Sequence, residues 1–201
     1  MIIRQEERTD YKKVEYLLRE AFWNVYRPGC HEHYIVHNLR HDASFIRELD
    51  YVIEDDDKVV GHITYSKNTL CVDNKKIDVV TLGPVGIDPN YQKRGYGSKL
   101  IEYTLDKAND LGISYVFVIG DENYYKRFGF VDASKYNIQF NDVEGDTSFF
   151  MIKVFDKDNL DFDNAKYLDN PLFDVDEEKV DQFDKNFPKK EKEVRDTQLK
   201  F

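Results

Sequence analysis

A chain of 201 residues with 41% hydrophobic and 14% aromatic content can bury a core as one domain with an appendage, and is too apolar for wholesale disorder. Its formal charge of −10 excludes DNA, RNA or an anionic membrane surface as the main partner, since each requires a basic face. No run reaches the roughly 18 apolar residues of a membrane span, and the first residues lack the apolar stretch of a signal peptide, so a cytoplasmic location is expected. Cys30 and Cys71 stand outside any CxxC and are expected to be free thiols.

Residues 2 to 4 alternate like a short strand. Thr9-Asp10 then offer N-cap oxygens to a helix with Val14, Leu17, Leu18, Ala21 and Phe22 on one face. After the break at Pro28-Gly29, Tyr34, Ile35, Asn38 and Leu39 mark a second helix. From Asp50 the period shortens: three antiparallel strands are predicted up to Ile87, joined by polar turns at 55–58 and 73–75. The third contains Gly83-Pro84, the mark of a bulge or a lost ladder bond.

Leu100, Ile101, Thr104, Leu105, Ala108 and Leu111 form a 3.6-residue stripe closed by Gly112, and Tyr115 to Ile119 is a continuous apolar strand. Strand, helix, strand predicts a parallel pair joined by a crossover. A short helix at 123–128 and strands near 130–140 and 147–154 complete a mixed α/β domain over residues 1–155. Residues 156–201 carry fourteen acidic against nine basic residues, so half of the net charge lies in an acidic extension. Within it Asp174 or Asp176 caps a helix bearing Val180, Phe183 and Phe187. Tyr167, Phe173 and Phe201 add to an aromatic content that predicts docking on the chain's own domain or on a partner subunit, with the acceptor side of the domain as one place to dock.

The stretch PNYQKRGYGSKL, Pro89 to Leu100, feeds glycines and positive charge into a helix. Glycine permits φ > 0 and close backbone approach, and the first N–H groups of a helix, with its positive dipole end, make an anion site. The pattern lacks the Gly-Lys-Ser/Thr of a P-loop and the third glycine of a dinucleotide fingerprint; a plain turn cap is the other reading.

From Leu82 to Phe130 the sequence resembles the signature of the GNAT superfamily of acyl-CoA-dependent N-acetyltransferases. Gln92, Gly95 and Gly97 match its Gln/Arg-x-x-Gly-x-Gly/Ala loop, Val85-Gly86-Ile87 its splayed fourth strand, and Tyr125 to Phe130 its Tyr-x-x-x-Gly-Phe element. Arg19-Glu20-Ala21-Phe22, Glu32-His33 and Gly120 to Phe130 are similar to the bacterial YhbS-like branch.

The resemblance implies a mostly antiparallel α/β sheet whose fourth and fifth strands splay around CoA. It further implies acetyl-CoA as cosubstrate without a metal, and transfer to a small-molecule or peptide amine by direct attack in one ternary complex. Gln92, Lys93, Arg94, Gly95, Tyr96, Gly97 and Ser98 would hold the pyrophosphate, Val85, Gly86 and Ile87 the pantetheine arm, and Asn123 a further part of the cofactor. Gly86 would let the arm approach closely. Tyr125 would protonate the leaving thiolate, and Glu32 stands as base or acceptor contact.

His31 and His33 are read as a solvated helix start rather than metal ligands, His37 and His41 as polar surface, and Asp55-Asp56-Asp57 as a hairpin turn. His62, Asp78 and Asp121 lie on or at the ends of strands flanking the cleft. A non-catalytic acyl-CoA-binding or sensing module is the alternative, and neither a protein acceptor nor a homodimer is excluded.

Overall fold

The computed structural model describes residues 1–73, 75–143, 145–155, 162 and 164–198. Among the described residues nine strands form one sheet: β1 (Ile2–Gln5), β2 (Tyr51–Asp55), β3 (Lys58–Val72), β4 (Lys75–Ile87), β5 (Tyr115–Ile119), β6 (Val131–Asp132), β7 (Ile138–Phe140), β8 (Phe150–Val154) and β9 (Ala165–Leu168). The path runs β1-β2-β3-β4-β5-β8-β6, with β9 beside β3 and β7. Pairing is antiparallel except for β4 with β5 and β7 with β9. The helices are α1 (Tyr11–Phe22), α2 (Glu32–Leu39), α3 (Tyr96–Asp110), α4 (Glu122–Tyr125) and α5 (Glu177–Asp184). Among the described residues no helix is long and apolar enough to cross a membrane.

Alternation along the strands sends side chains to two layers. Ile53, Val60, Ile63 and Leu82 pack with Leu100, Ile101 and Leu105 of α3, the stripe predicted for it. Val52 and Val59 pack on the other face with Val14, Leu17 and Leu18 of α1 and Val36 of α2. Leu111 is 51% exposed, because α3 ends at Asp110 and Gly112 turns the chain away with φ 76°. Asp56 and Asp57 both take left-handed φ, as the twist of a two-residue hairpin demands.

Asp10 stands at the N-cap of α1, but its carboxylate accepts from Glu7 N at 3.0 Å and from Arg4 at 2.6 Å, not from the helix. The buried face of α2 is His33, Ile35, Val36 and Leu39, whereas Asn38 is only half-buried.

The register of β4 on β3 jumps from Leu82↔Tyr65 to Val85↔Ile63, leaving Gly83-Pro84 as the bulge expected from sequence. On its other edge β4 pairs with β5 only through Val80, Thr81 and Leu82. The two parallel strands part there.

Three features differ from the sequence expectations. The strand predicted near 130–140 is broken in two, because Asp132 accepts from Ser134 N and Asn137 takes φ 57°, so β6 pairs with β8 and β7 with β9. The sheet also draws on both sides of the boundary expected at 155/156: β9 pairs with Thr69–Cys71 of β3, and its Tyr167 is fully buried among Phe117, Phe140 and Phe150. Asp176 does cap α5, accepting from Glu178 N, and Phe183 packs on His33, Tyr34 and His37 of α2. Phe201 lies outside the described residues.

The third difference concerns Gly86. A Cβ there would lie 2.6 Å from Leu18 Cδ2 and 3.2 Å from Phe22 Cε2, so the glycine serves the seating of α1 on β4 rather than the approach of a ligand. Leu18 is fully buried and has nowhere to swing. Gly86→Ala is therefore expected to cost about 1–3 kcal/mol by overpacking, read as a lower urea midpoint with an unchanged slope.

Candidate active site

The site grows from the point where β4 leaves β5. Past the bulge, Val85, Gly86 and Ile87 remain paired to β3 but have no strand partner among the described residues on the β5 side, which leaves that edge open to an extended ligand. Asp88 then accepts from Asn90 N and from Lys58, which starts a tight turn, and Gln92 Nε2 donates to Ile87 O at 3.1 Å. Gln92 thus ties the loop to the end of the strand. Lys93 (φ 60°) and Gly95 (φ 86°) turn the backbone into α3, whose first N–H groups receive no side-chain cap.

Gln92, Lys93, Arg94 and Gly95 are exposed, while Tyr96, Gly97 and Ser98 are half-buried. The Arg94 guanidinium lies 5.2 Å from the Tyr91 ring centre, and Tyr96 donates to Asp55 at 2.6 Å. A Cβ on Gly97 would meet the Tyr124 hydroxyl at 3.1 Å, so its glycine admits α4 to the first turn of α3. One cation escaped sequence reasoning: Arg127, 4.1 Å over the Tyr124 ring, donates to Ser98 Oγ at 2.9 Å. Its place inside the Tyr-to-Phe element was the available signal.

Across the gap, β5 ends at Ile119 and is followed by Gly120, where a Cβ would lie 2.5 Å from the Tyr125 ring. Glycine lets that ring fold against the strand end, between Tyr124 at 5.1 Å and Phe130 at 5.8 Å. Burial pushes the Tyr125 phenol above its ordinary range, with Tyr124 and Tyr26 adding to the shift. No hydrogen bond among the described residues holds its hydroxyl.

The third wall is the segment between α1 and α2. Phe22 faces Gly86, and Tyr26 lies beside Phe22 with ring centres 6.0 Å apart and the planes tilted by 38°. Burial raises the Tyr26 phenol, and the charges of Glu32 and Asp121 raise it further, which sets Tyr26 between α2 and the start of α4. Glu32 accepts from His31 N at 3.0 Å, and burial pushes its carboxyl above the usual carboxylate range. Free backbone edge, helix N-terminus, protonated phenol and raised carboxyl therefore border one cleft.

Other expected residues have local partners or lie elsewhere. Asn123 is exposed and its amide oxygen accepts from Lys126 at 3.0 Å, while Asp121 caps α4 through Asn123 N. Asp78 pairs with Thr69, on the half of β4 before the gap. His37 bonds Glu15 at 2.9 Å, and His41 is exposed. His31 and His33 correct the sequence reading, since both are buried: α5 covers them, bringing Glu177 Oε1 2.9 Å from His31 and Asp184 Oδ1 3.3 Å from His33.

His62 points to the α1/α2 face, 2.9 Å from Asp50 and 3.9 Å from Glu6. Arg40 already holds Glu6 through two hydrogen bonds of 2.5 and 3.0 Å, supplying positive charge to this cluster. Burial pushes Glu6 up to about 7 and His62 down to about 4, so the imidazole is neutral at neutral pH beneath the helices. Cys30, His33 and Asp184 line up at 3.3 Å steps like a nucleophile, base and orienting acid. The thiol is buried and its pKa is raised by that burial, the reverse of an activated nucleophile.

Known proteins share this fold. The crystal structure of a GNAT family N-acetyltransferase, YhbS of Escherichia coli, in complex with CoA matches with a TM-score of 0.75 at 27% identity, over 87% of this chain and 92% of that one. A GNAT family acetyltransferase from Brucella melitensis in complex with acetyl-CoA matches with a TM-score of 0.65 at 27% identity, over 86% and 97% of the two chains. The uncharacterized N-acetyltransferase YjhQ of Escherichia coli (strain K12) is 31% identical over 96 residues, 48% of this chain, and the chain spans about half, 53%, of that protein's length. Residues 14–130, more than half of the chain and the span that builds all three walls of the cleft, match the Acetyltransferase (GNAT) family model, and the chain belongs to that family.

Proposed function

We propose that this chain moves an acetyl group from acetyl-CoA to a primary amine, by direct attack of the amine in one ternary complex. The observation that carries the reading is the unpaired edge of β4 at 83–87 running into the uncapped N-terminus of α3. An extended pantetheine arm would complete that edge as an added strand, and the pyrophosphate would meet the first N–H groups of α3 together with Lys93, Arg94 and Arg127. The CoA and acetyl-CoA complexes of the two structural relatives support acetyl-CoA as the cosubstrate.

Acetyl-CoA would supply the acyl group on a thioester, activated for attack. Backbone N–H groups of the β4 edge polarise its carbonyl, and the cleft holds amine and carbonyl within reach. Glu32 accepts a proton from the ammonium, through a water where the distance requires one. As the nitrogen bonds the carbonyl carbon and the carbon–sulfur bond breaks, Tyr125 gives its proton to the departing sulfur and recovers one from the new amide nitrogen through solvent. A phenol raised by burial stays protonated at neutral pH, beside a thiol whose ordinary pKa is near 8.5.

The test is release of CoA thiol from acetyl-CoA across a panel of primary amines and basic peptides, beside calorimetry of acetyl-CoA alone. Binding without any amine-dependent thiol release would replace the enzyme reading by a sensing module. Because a base must be unprotonated, the rate should fall as pH drops through the raised Glu32 value, at a higher pH than an ordinary glutamate near 4.3 would give. Glu32→Gln is expected to slow turnover and erase that acidic limb; a limb of unchanged position in the variant would assign the proton to another group.

A further inference from the structure

We infer that residues 177–198 are a strap that positions the acceptor wall of the cleft, with Asp184 its principal positioning residue, an assignment that rests on the acetyl-transfer reading. Residues Trp23 to His31 join α1 to α2 without a helix or strand of their own. Leu18 and Phe22 face β4, and Arg19 and Trp23, one step round the same helix, face the tail.

What fixes that segment comes largely from the far end of the chain. Arg19 is fully buried and meets Asp184 through two hydrogen bonds of 2.5 and 2.9 Å. The same carboxylate lies 3.3 Å from His33, at the start of α2, so one group joins both helices flanking the segment. Trp23 Nε1 and Asn24 Nδ2 both donate to Glu191 O, at 2.9 and 3.1 Å. Asn24 Oδ1 accepts from Gly29 N and from Glu193 N, and Asn24 O accepts from Gln198. Lys190 bonds Glu20 at 2.9 Å, and Glu177 meets His31.

The groups so held present Phe22, Tyr26 and Glu32 to the cleft, opposite Tyr125. The tail touches the back of this wall rather than the cofactor loop. Losing a strap contact should therefore displace the acceptor wall and spare the free edge of β4 and the N-terminus of α3.

Asp184→Asn, in the full chain, is expected to raise the KM for the amine about tenfold while the acetyl-CoA dissociation constant stays within twofold, and Asp184→Glu should recover most of the loss. Trp23, the single tryptophan, reports the strap directly: its emission should shift, and amide exchange of residues 23–31 should quicken, in Asp184→Asn. A milder variant, Asn24→Gly, removes the side-chain contacts to Glu191 and Glu193 and should move the same readouts in the same direction, which guards against a variant that fails to fold.

Unchanged Trp23 emission and exchange in both variants would overturn the strap whatever the activity. Equal losses for amine and acetyl-CoA would reduce it to general scaffolding and overturn the positioning role. If the parent itself shows no amine-dependent turnover, the acetyl-transfer reading fails and the acceptor role falls with it, even where the fluorescence shift is seen.

Discussion

Tyr125→Phe should lower amine-dependent turnover by about 10²–10⁴-fold, the span seen when a positioned acid is removed, with acetyl-CoA affinity little changed. The substitution keeps the ring that fills the space beside Gly120 and touches Tyr124 and Phe130, so folding stability should hold. It deletes only a hydroxyl that no described residue engages. Its raised pKa makes the phenol a donor across the neutral range, so the parent should show no basic limb from its ionisation near pH 8 to 9. Steady-state rates and calorimetry on the same preparation check both halves. A variant that retains parental turnover would move the acid elsewhere and leave Tyr125 as a packing residue.

Ser98→Asp should separate helix stability from ligand binding. An acidic residue in the first turn of a helix gains roughly 0.3–1 kcal/mol from the dipole and the free N–H groups, and Arg127 is already beside Ser98 to receive the charge. The variant should melt at or above the parent temperature. The same carboxylate occupies the place proposed for the pyrophosphate and takes its donors; losing charge-assisted bonds worth about 1.5–3 kcal/mol implies roughly 10- to 100-fold weaker acetyl-CoA binding. Gly95→Glu makes a poorer probe, because φ 86° strains any side chain there. Undiminished binding in Ser98→Asp would take the pyrophosphate off this helix and with it the main support for the proposed function.

Local chemistry made much of this fold readable. The stripe of α3 from Leu100 to Ala108, the two hairpins of β2, β3 and β4, the interruption at Gly83-Pro84 and the cap of α5 each depend on residues a few positions apart, and each stands where its pattern put it. The glycine loop was legible for the same reason. What escaped depends on distant parts of the chain. Gly86 looks in sequence like a ligand's glycine, and only the arrival of Leu18 reveals its packing role.

His31 and His33 look solvated until Glu177 and Asp184 cover them, and β9 finds its partners in β3 nearly a hundred residues earlier. Arg127 required knowing that α4 lies against the first turn of α3. The break between β6 and β7 was the exception, since the turn-forming pairs Asp132 with Ser134 and Tyr136-Asn137 were present locally and were outweighed by the apolar residues around them.

The Arg19–Asp184 pair spans 165 positions. During synthesis the glycine loop and the Tyr125 element leave the ribosome well before Asp184 does, so a nascent chain can assemble the β4–α3–β5 region while Arg19 still lacks its counter-charge. At the roughly 5–20 residues per second of translation, that interval lasts seconds, and closing so long a loop adds an entropic cost that local contacts do not bear. On the proposed function, the acceptor wall would then be the last part of the cleft to mature, and a ribosome stalled before Asp184 would hold a chain able to engage the cofactor before it could discriminate among amines.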